Sequence, residues 1–266
     1  MRVRVVLSLA ALMIAMLVAP AAADEHEASV YVVHGVPDLT VDVWVDGEPT
    51  IEGFEPGAIE GPLPLPEGSY EVEIYGAGED PDEAEPAIAG PAEVGAGDNV
   101  SLVAHLDAEG NPTLGAFAND VAETDEGEGR LTARHVAAAP ATDIRGDGEP
   151  VFEGVENGDE GVVDLPAGTV SADVTLAGED DAVIGPADVE IGESQNTIAY
   201  AFGSAEDGTL DLAVQTIDVG HSPDEVPAGE AGLLEQSALS AWVVAAMAAA
   251  AAVALGTGVQ LARTRR

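Results

Sequence analysis

Two histidines stand at matching places in two similar stretches, and they are the first residues to weigh for chemistry. His34 opens HGVPDLTVDVWVDGEPTIEGFEPG, and His135 opens HVAAAPATDIRGDGEPVFEGVENG, at a constant offset of 101 residues. Asp38 and Asp42 follow the first histidine and Asp143 follows the second. Such residues could act as a general base or ligate a metal. A histidine that recurs at a strand end more often ties down a neighbouring loop, and Asp38 and Asp42 are the nearby acceptors in the first unit. His26 and His221 lie in the flanks, and His105 falls in a strand pattern. The chain has no G-x-S-x-G elbow, no H-E-x-x-H, no glycine-rich loop followed by lysine and no D-x-D-x-D-G calcium loop. Carboxylates are so abundant that pairing any two as a glycosidase dyad is arbitrary. No catalytic, cofactor-binding or metal-ligating residue is therefore assigned. The expectation is a protein that is not an enzyme and carries no cofactor.

The elements that would position these residues repeat as well. Asp46-Gly47-Glu48-Pro49 matches Asp147-Gly148-Glu149-Pro150, and Gly57 matches Gly158. With small gaps, Leu65-Pro66-Glu67-Gly68 matches Leu165-Pro166-Ala167-Gly168, and Gly90 to Val94 matches Gly185 to Val189. Apolar residues alternate with polar ones through Val41–Val45, through Tyr70, Val72 and Ile74, and through Val100, Leu102, Ala104 and Leu106. The second unit repeats this at Val170, Ala172, Val174 and Leu176, and at Ile198, Tyr200 and Phe202. A period of two marks half-buried strands. Asp46-Gly47, Asp147-Gly148, Asn157-Gly158 and Asp207-Gly208 supply turns that accept positive φ. The fold class read from this is all-β. It comprises two tandem immunoglobulin-like β-sandwich domains plus one C-terminal transmembrane helix, with a small barrel as the alternative for each unit. The second unit has Thr142, Arg145 and Gly146 where the first has Val41, Trp44 and Val45, so its matching strand should be shorter or at an edge.

Both ends read as addresses. Arg2 and Arg4, an apolar run from Val5 to Val18 and the small residues Ala21-Ala22-Ala23 form a signal peptide over 1–23. Residues 238–262 carry no charge and are long enough to cross a bilayer. Arg263, Arg265 and Arg266 follow and mark the cytoplasmic side over 263–266. The sandwiches are expected at 29–120 and 130–219, an acidic linker (VAETDEGEG) at 121–129 and a stalk at 220–237. Sortase anchoring has a similar layout, but Val226-Pro227-Ala228-Gly229 lacks the threonine-glycine of a sorting motif.

Composition limits the partners. The net charge is −42, there is no lysine, and between the two ends only Arg130, Arg134 and Arg145 face all 50 acidic residues. Nucleic acid and anionic lipid surfaces are excluded as partners. A surface kept hydrated and soluble at high ionic strength is the simplest explanation. All three arginines fall early in the second unit, where they could dock it against the acidic first unit and fix the angle between them. With no cysteine, disulfides, thiol catalysis and zinc–thiolate sites are all removed.

SVYVVHGVPDLTVDVWVDG followed by LPLPEGSYEVEIYGAG resembles the family called domain of unknown function 4397. This family is common in secreted and surface proteins of actinobacteria and some other bacteria. His34, Pro37, Asp38, Val41-Asp42-Val43, Asp46-Gly47, Pro66, Gly68 and Tyr70 carry the resemblance in the first unit. His135, Pro140, Asp143, Gly148, Pro166 and Gly168 carry it in the second, where Val170 replaces the aromatic. It implies a β-sandwich on a bacterial surface and no particular activity. The expectation is a single-pass cell-membrane protein with an extracellular N-terminal ectodomain, a cytoplasmic C-terminus and a structural or interaction role. Its partners would be the membrane through the C-terminal helix, and envelope proteins or glycans. A module for carbohydrate or divalent cation is the alternative, with Trp44 the aromatic most apt to face outward.

Overall fold

The computed structural model describes residues 27–219, and these contain sixteen strands and no helix. The expected signal peptide, stalk, transmembrane segment and basic tail lie outside the described residues. The first eight strands are β1 (Ala28–His34), β2 (Val41–Val45), β3 (Glu48–Phe54), β4 (Ile59–Leu65), β5 (Gly68–Gly76), β6 (Ile88–Val94), β7 (Asn99–Leu106) and β8 (Pro112–Ala118). The second eight are β9 (Glu128–Ala138), β10 (Thr142–Gly146), β11 (Glu149–Val155), β12 (Glu160–Pro166), β13 (Gly168–Leu176), β14 (Ala182–Ile191), β15 (Gln195–Ser204) and β16 (Asp211–Asp218).

Each set of eight builds two four-stranded sheets. In the first set the orders are β4-β1-β7-β8 and β3-β2-β5-β6; in the second they are β12-β9-β15-β16 and β11-β10-β13-β14. The two sets therefore share one topology, with β1 parallel to β7 and β9 parallel to β15. This differs from the immunoglobulin order, in which the first strand's sheet also holds the second and fifth. Here a two-residue turn keeps β2 hairpinned to β3 and β5 pairs on its other side, so β1 pairs with β4 and β7 instead. The turn residues explain that hairpin. Asp46 and Gly47 have φ of 51° and 77°, and Asp147 and Gly148 have 53° and 84°, the double positive φ of a type I′ turn.

Between the sheets of the first sandwich lie Val30, Val43, Val72, Ile74 and Leu102, with Phe54 at one end. The second is filled by Leu131, Ile144, Val174, Val189 and Ile191. A third core lies between the sandwiches. Val33, Val103, Val136, Ile198, Tyr200 and Phe202 pack together, with Tyr31 and Phe117 against them. The β1 and β9 sheets thus face each other, and residues 27–219 form a four-layer stack within one compact unit. This changes the strand reading. Ser101 and His105, expected on a solvated face, are both buried because β7 is covered on each side.

Two other expectations shift. β10 spans five residues, as β2 does, but it is not an edge strand; it lies between β11 and β13, and Ile144 keeps its core face. The match of Gly90–Val94 to Gly185–Val189 is displaced by two residues. Val72 pairs with Gly90 whereas Ala172 pairs with Ala187, and irregularities between Ala172 and Thr175 take up the slack.

Candidate functional site

The repeated polar residues hold backbone. His34 Nε2 donates to the Leu39 carbonyl at 2.7 Å, and His135 Nε2 donates to Pro140 O at 3.0 Å. The acceptors are carbonyls rather than the carboxylates of Asp38 or Asp42. Burial holds both imidazoles below their usual pKa, which keeps the ring neutral and suits this single donation. The main chain of each histidine closes the same loop, since Gly57 N donates to His34 O and Gly158 N to His135 O, both at 2.7 Å. Asp42 accepts from Gly53 N at 2.7 Å and Gly78 N at 2.8 Å, while Asp143 accepts from Gly154 N at 2.7 Å and Gly178 N at 3.0 Å. For Asp143 these two amides hold the carboxyl below its usual range. Asp46 caps Glu71 N, and Asp147 caps Ser171 N. Among the described residues no group of three or more His, Asp or Glu side chains could hold a metal ion.

The densest polar chemistry lies where the sandwiches meet. Arg134 on β9 has a side chain of 0 % exposure. Its Nε donates to Glu160 at 2.7 Å, Nη1 to Asn119 Oδ1 at 3.0 Å and to Tyr200 Oη at 2.9 Å, and Nη2 to Ala118 O at 3.1 Å. The guanidinium also lies 4.8 Å from the Phe117 ring centre and 5.4 Å from that of Tyr200. Tyr200 donates to Gln215 Oε1 at 2.6 Å, and Ser101 Oγ sits 3.1 Å from both that oxygen and Asn119 Oδ1. Burial raises the Tyr200 pKa, with Arg134 opposing, so the hydroxyl stays protonated and able to donate. Nearby, Asn157 Nδ2 bridges the Leu106 and Ala137 carbonyls at 3.0 and 2.7 Å.

A second arginine pins the connection. Arg130 grips Asp164 through two nitrogens at 2.8 and 3.0 Å, and reaches Ala122 O and Asp120, each at 2.9 Å. The acidic stretch expected as a free linker is consequently tied down. Thr124 is buried and donates to Glu128 O, Gly127 N donates to Glu193, and β9 already begins at Glu128. The docking expectation for the arginines thus holds for Arg130 and Arg134. Arg145 instead pairs with Asp173 of the neighbouring strand in its own sheet.

Sequence reasoning passed over Asn119, Ser101, Tyr200, Gln215 and Glu160. A signal existed. The register places Ser101 opposite Phe117 in the first sandwich and Ile198 opposite Gln215 in the second. Positions where one copy is polar and the other apolar mark an asymmetric joint. Trp44 faces away from the cores and meets Tyr75 edge to face, with ring centres 6.5 Å apart.

The family described as Domain of unknown function (DUF4397) matches residues 28–145. That stretch takes in all of the first sandwich and continues through β9 into β10. Among curated proteins, none matches the chain.

Proposed function

We propose that this chain is an exported, non-enzymatic surface protein, anchored by the apolar segment 238–262. On this reading it displays two copies of one domain outside the cell as a single stiff acidic body. The observation that carries the reading is the joint around Arg134. A fully buried guanidinium bonded across the boundary to Asn119 and Ala118 holds two sandwiches at one angle. The strand-end histidines and turn aspartates, the residues with the best credentials for chemistry, are engaged with backbone. All three arginines among the described residues are ion-paired, which leaves a carboxylate surface outward. Such a surface suits a structural or interaction role in salty surroundings. The alternative, a carbohydrate or cation module, has Trp44 as its foothold, a half-buried ring that meets Tyr75 edge to face.

Topology is tested by N-terminal sequencing and by protease shaving of intact cells. The mature chain should start at Asp24, and a C-terminal tag should stay with the cells. Recovery of that tag in the shaved medium would overturn the arrangement. Charge is tested by thermal melts in NaCl, KCl and CaCl₂ at matched ionic strength. The screening length falls from ~10 Å at 0.1 M to ~3 Å at 1 M, so repulsion among carboxylates drops and both monovalent salts should raise Tm alike. A shift confined to calcium would favour the cation module by mass action.

A further inference from the structure

The first sandwich is hollow. A cavity of about 220 Å³ lies between its sheets, walled by Val43, Val72 and Leu102, by half-buried Ile51 and Leu65 on the edge strands, and by Tyr70, whose hydroxyl donates to Pro66 O in the turn between β4 and β5. An apolar cavity of about 150 Å³ in another protein stays dry and takes up benzene. The corresponding space in the second sandwich is about 30 Å³. Side-chain sizes differ in both directions, since Ala92 and Val94 of the first sandwich stand where the second has the larger Val189 and Ile191. Where the first sandwich has Val45, Val72 and Leu102, the register places Gly146, Ala172 and Ala199 in the second.

The rim differs as well. β3 and β4 are edge strands on the same side of their sheets, as are β11 and β12. In the second sandwich Phe152 reaches from β11 onto β12, where its ring fills the space a Cβ at Gly161 would need. The register equates Phe152 with Ile51 and Gly161 with Glu60. In the first sandwich the equivalent places hold the shorter Ile51 and the acidic Glu60. Glu52 and Glu60, both exposed, stand on β3 and β4.

We propose that this cavity is a binding site for a small molecule with one apolar chain and an uncharged or cationic head, entering between β3 and β4. The chain fits the carbon-lined interior. The head is set by the rim carboxylates, which repel an anion and attract a cation. This goes beyond the structural reading above, and it stands or falls separately from membrane anchoring.

The test uses residues 27–219, the compact body with its own four-layer core, and titrates hexyl-, octyl- and decyltrimethylammonium below their micelle concentrations by calorimetry. Tetramethylammonium and the alkyl sulfates of matching length are run beside them. Expected are one saturable site and tightening of roughly fourfold for each added CH₂ until the cavity is full. The sulfates should bind at least tenfold more weakly. Ile51→Phe, which copies Phe152, should weaken octyltrimethylammonium at least tenfold without lowering Tm. Ala92→Val, which copies Val189, fills the interior more gently and should weaken the decyl chain first. Binding that tetramethylammonium reproduces would be surface counterion uptake and would overturn the site. So would no saturable binding, or affinities unmoved by both substitutions in folded protein.

Discussion

At the start of β2 in one sandwich and β10 in the other, Asp42 and Asp143 each hold two glycine amides, with distances that agree within 0.2 Å. One layer inward the copies part. Arg134 of the second takes the place that Val33 has in the first, while Ser101 of the first stands where the second has Ile198. At the rim they part again, with Phe152 against Gly161 in one and Ile51 and Glu60 at the equivalent places in the other. Side chains kept in both copies build the sandwich itself. Side chains that differ between copies build what each sandwich does to its neighbour or admits to its interior.

The joint should yield the largest effect. Arg134→Ala removes four hydrogen bonds and strands Glu160, Asn119 and Tyr200, so denaturant unfolding should show a loss of about 3 kcal/mol. If the sandwiches depend on the joint, wild type unfolds in one transition and the variant in two. A single unchanged transition would remove the joint from the comparison. Next come the shared caps. Asp42→Ala and Asp143→Ala each lose a carboxylate bonded to two amides, worth about 2 kcal/mol by the same measurement. Unequal losses, one more than twice the other, would break the equivalence of the copies.

Acid should produce a smaller and graded effect. Burial holds His34, His105 and His135 below the usual value of 6.5, with the carbonyl contacts opposing. The unfolded chain then binds more protons than the folded one as pH drops past 6.5. Stability is full above that point and declines below it. Melting between pH 7.5 and 5, with His34→Gln and His135→Gln alongside, should show this limb flatten in each variant. The smallest effect is local. Arg130→Gln should cost less global stability than Arg134→Ala, because its carboxylate partners are partly exposed, yet admit a glutamate-specific protease at Glu123 or Glu126, read by mass spectrometry. Intact protein should resist cleavage there.

Much of the fold was legible because its signals are local. Alternation set the strands, and Asp-Gly pairs set two hairpins whose φ values match the requirement. The repeat itself announced two units. Strand order was not legible, because the choice of β7 rather than β2 as the partner of β1 is made across the whole domain and leaves no mark on β1. Nor was the stacking of the sandwiches. A strand such as Val100–Leu106 reads as half-buried because its second face carries the polar Ser101 and His105. Ser101 is buried with a hydrogen bond to Gln215 of the partner sheet, and His105 with one to the Leu106 carbonyl of its own strand. The strand-end histidines read as loop ties, and the structure gives His34 a carbonyl acceptor in place of Asp38 or Asp42. Carbonyl acceptors carry no sequence identity, so Leu39 and Pro140 could not be picked out.

The parallel pairing of β1 with β7 has a consequence for the order of folding. Synthesis runs from the N-terminus, so Ser29 waits for Asn99 before its parallel ladder can form, and Asn196 must arrive before Arg130 can pair in the second sandwich. Such distant pairings put the chain among slow folders, on the scale of milliseconds to seconds. During that interval the β1 sheet shows Val33, Val103 and Phe117 to solvent until β15 brings Ile198, Tyr200 and Phe202 to cover them. An uncovered sheet face is an invitation to aggregate. Chains bearing so many carboxylates repel one another while they wait. Their charge then protects nascent molecules as well as hydrating finished ones.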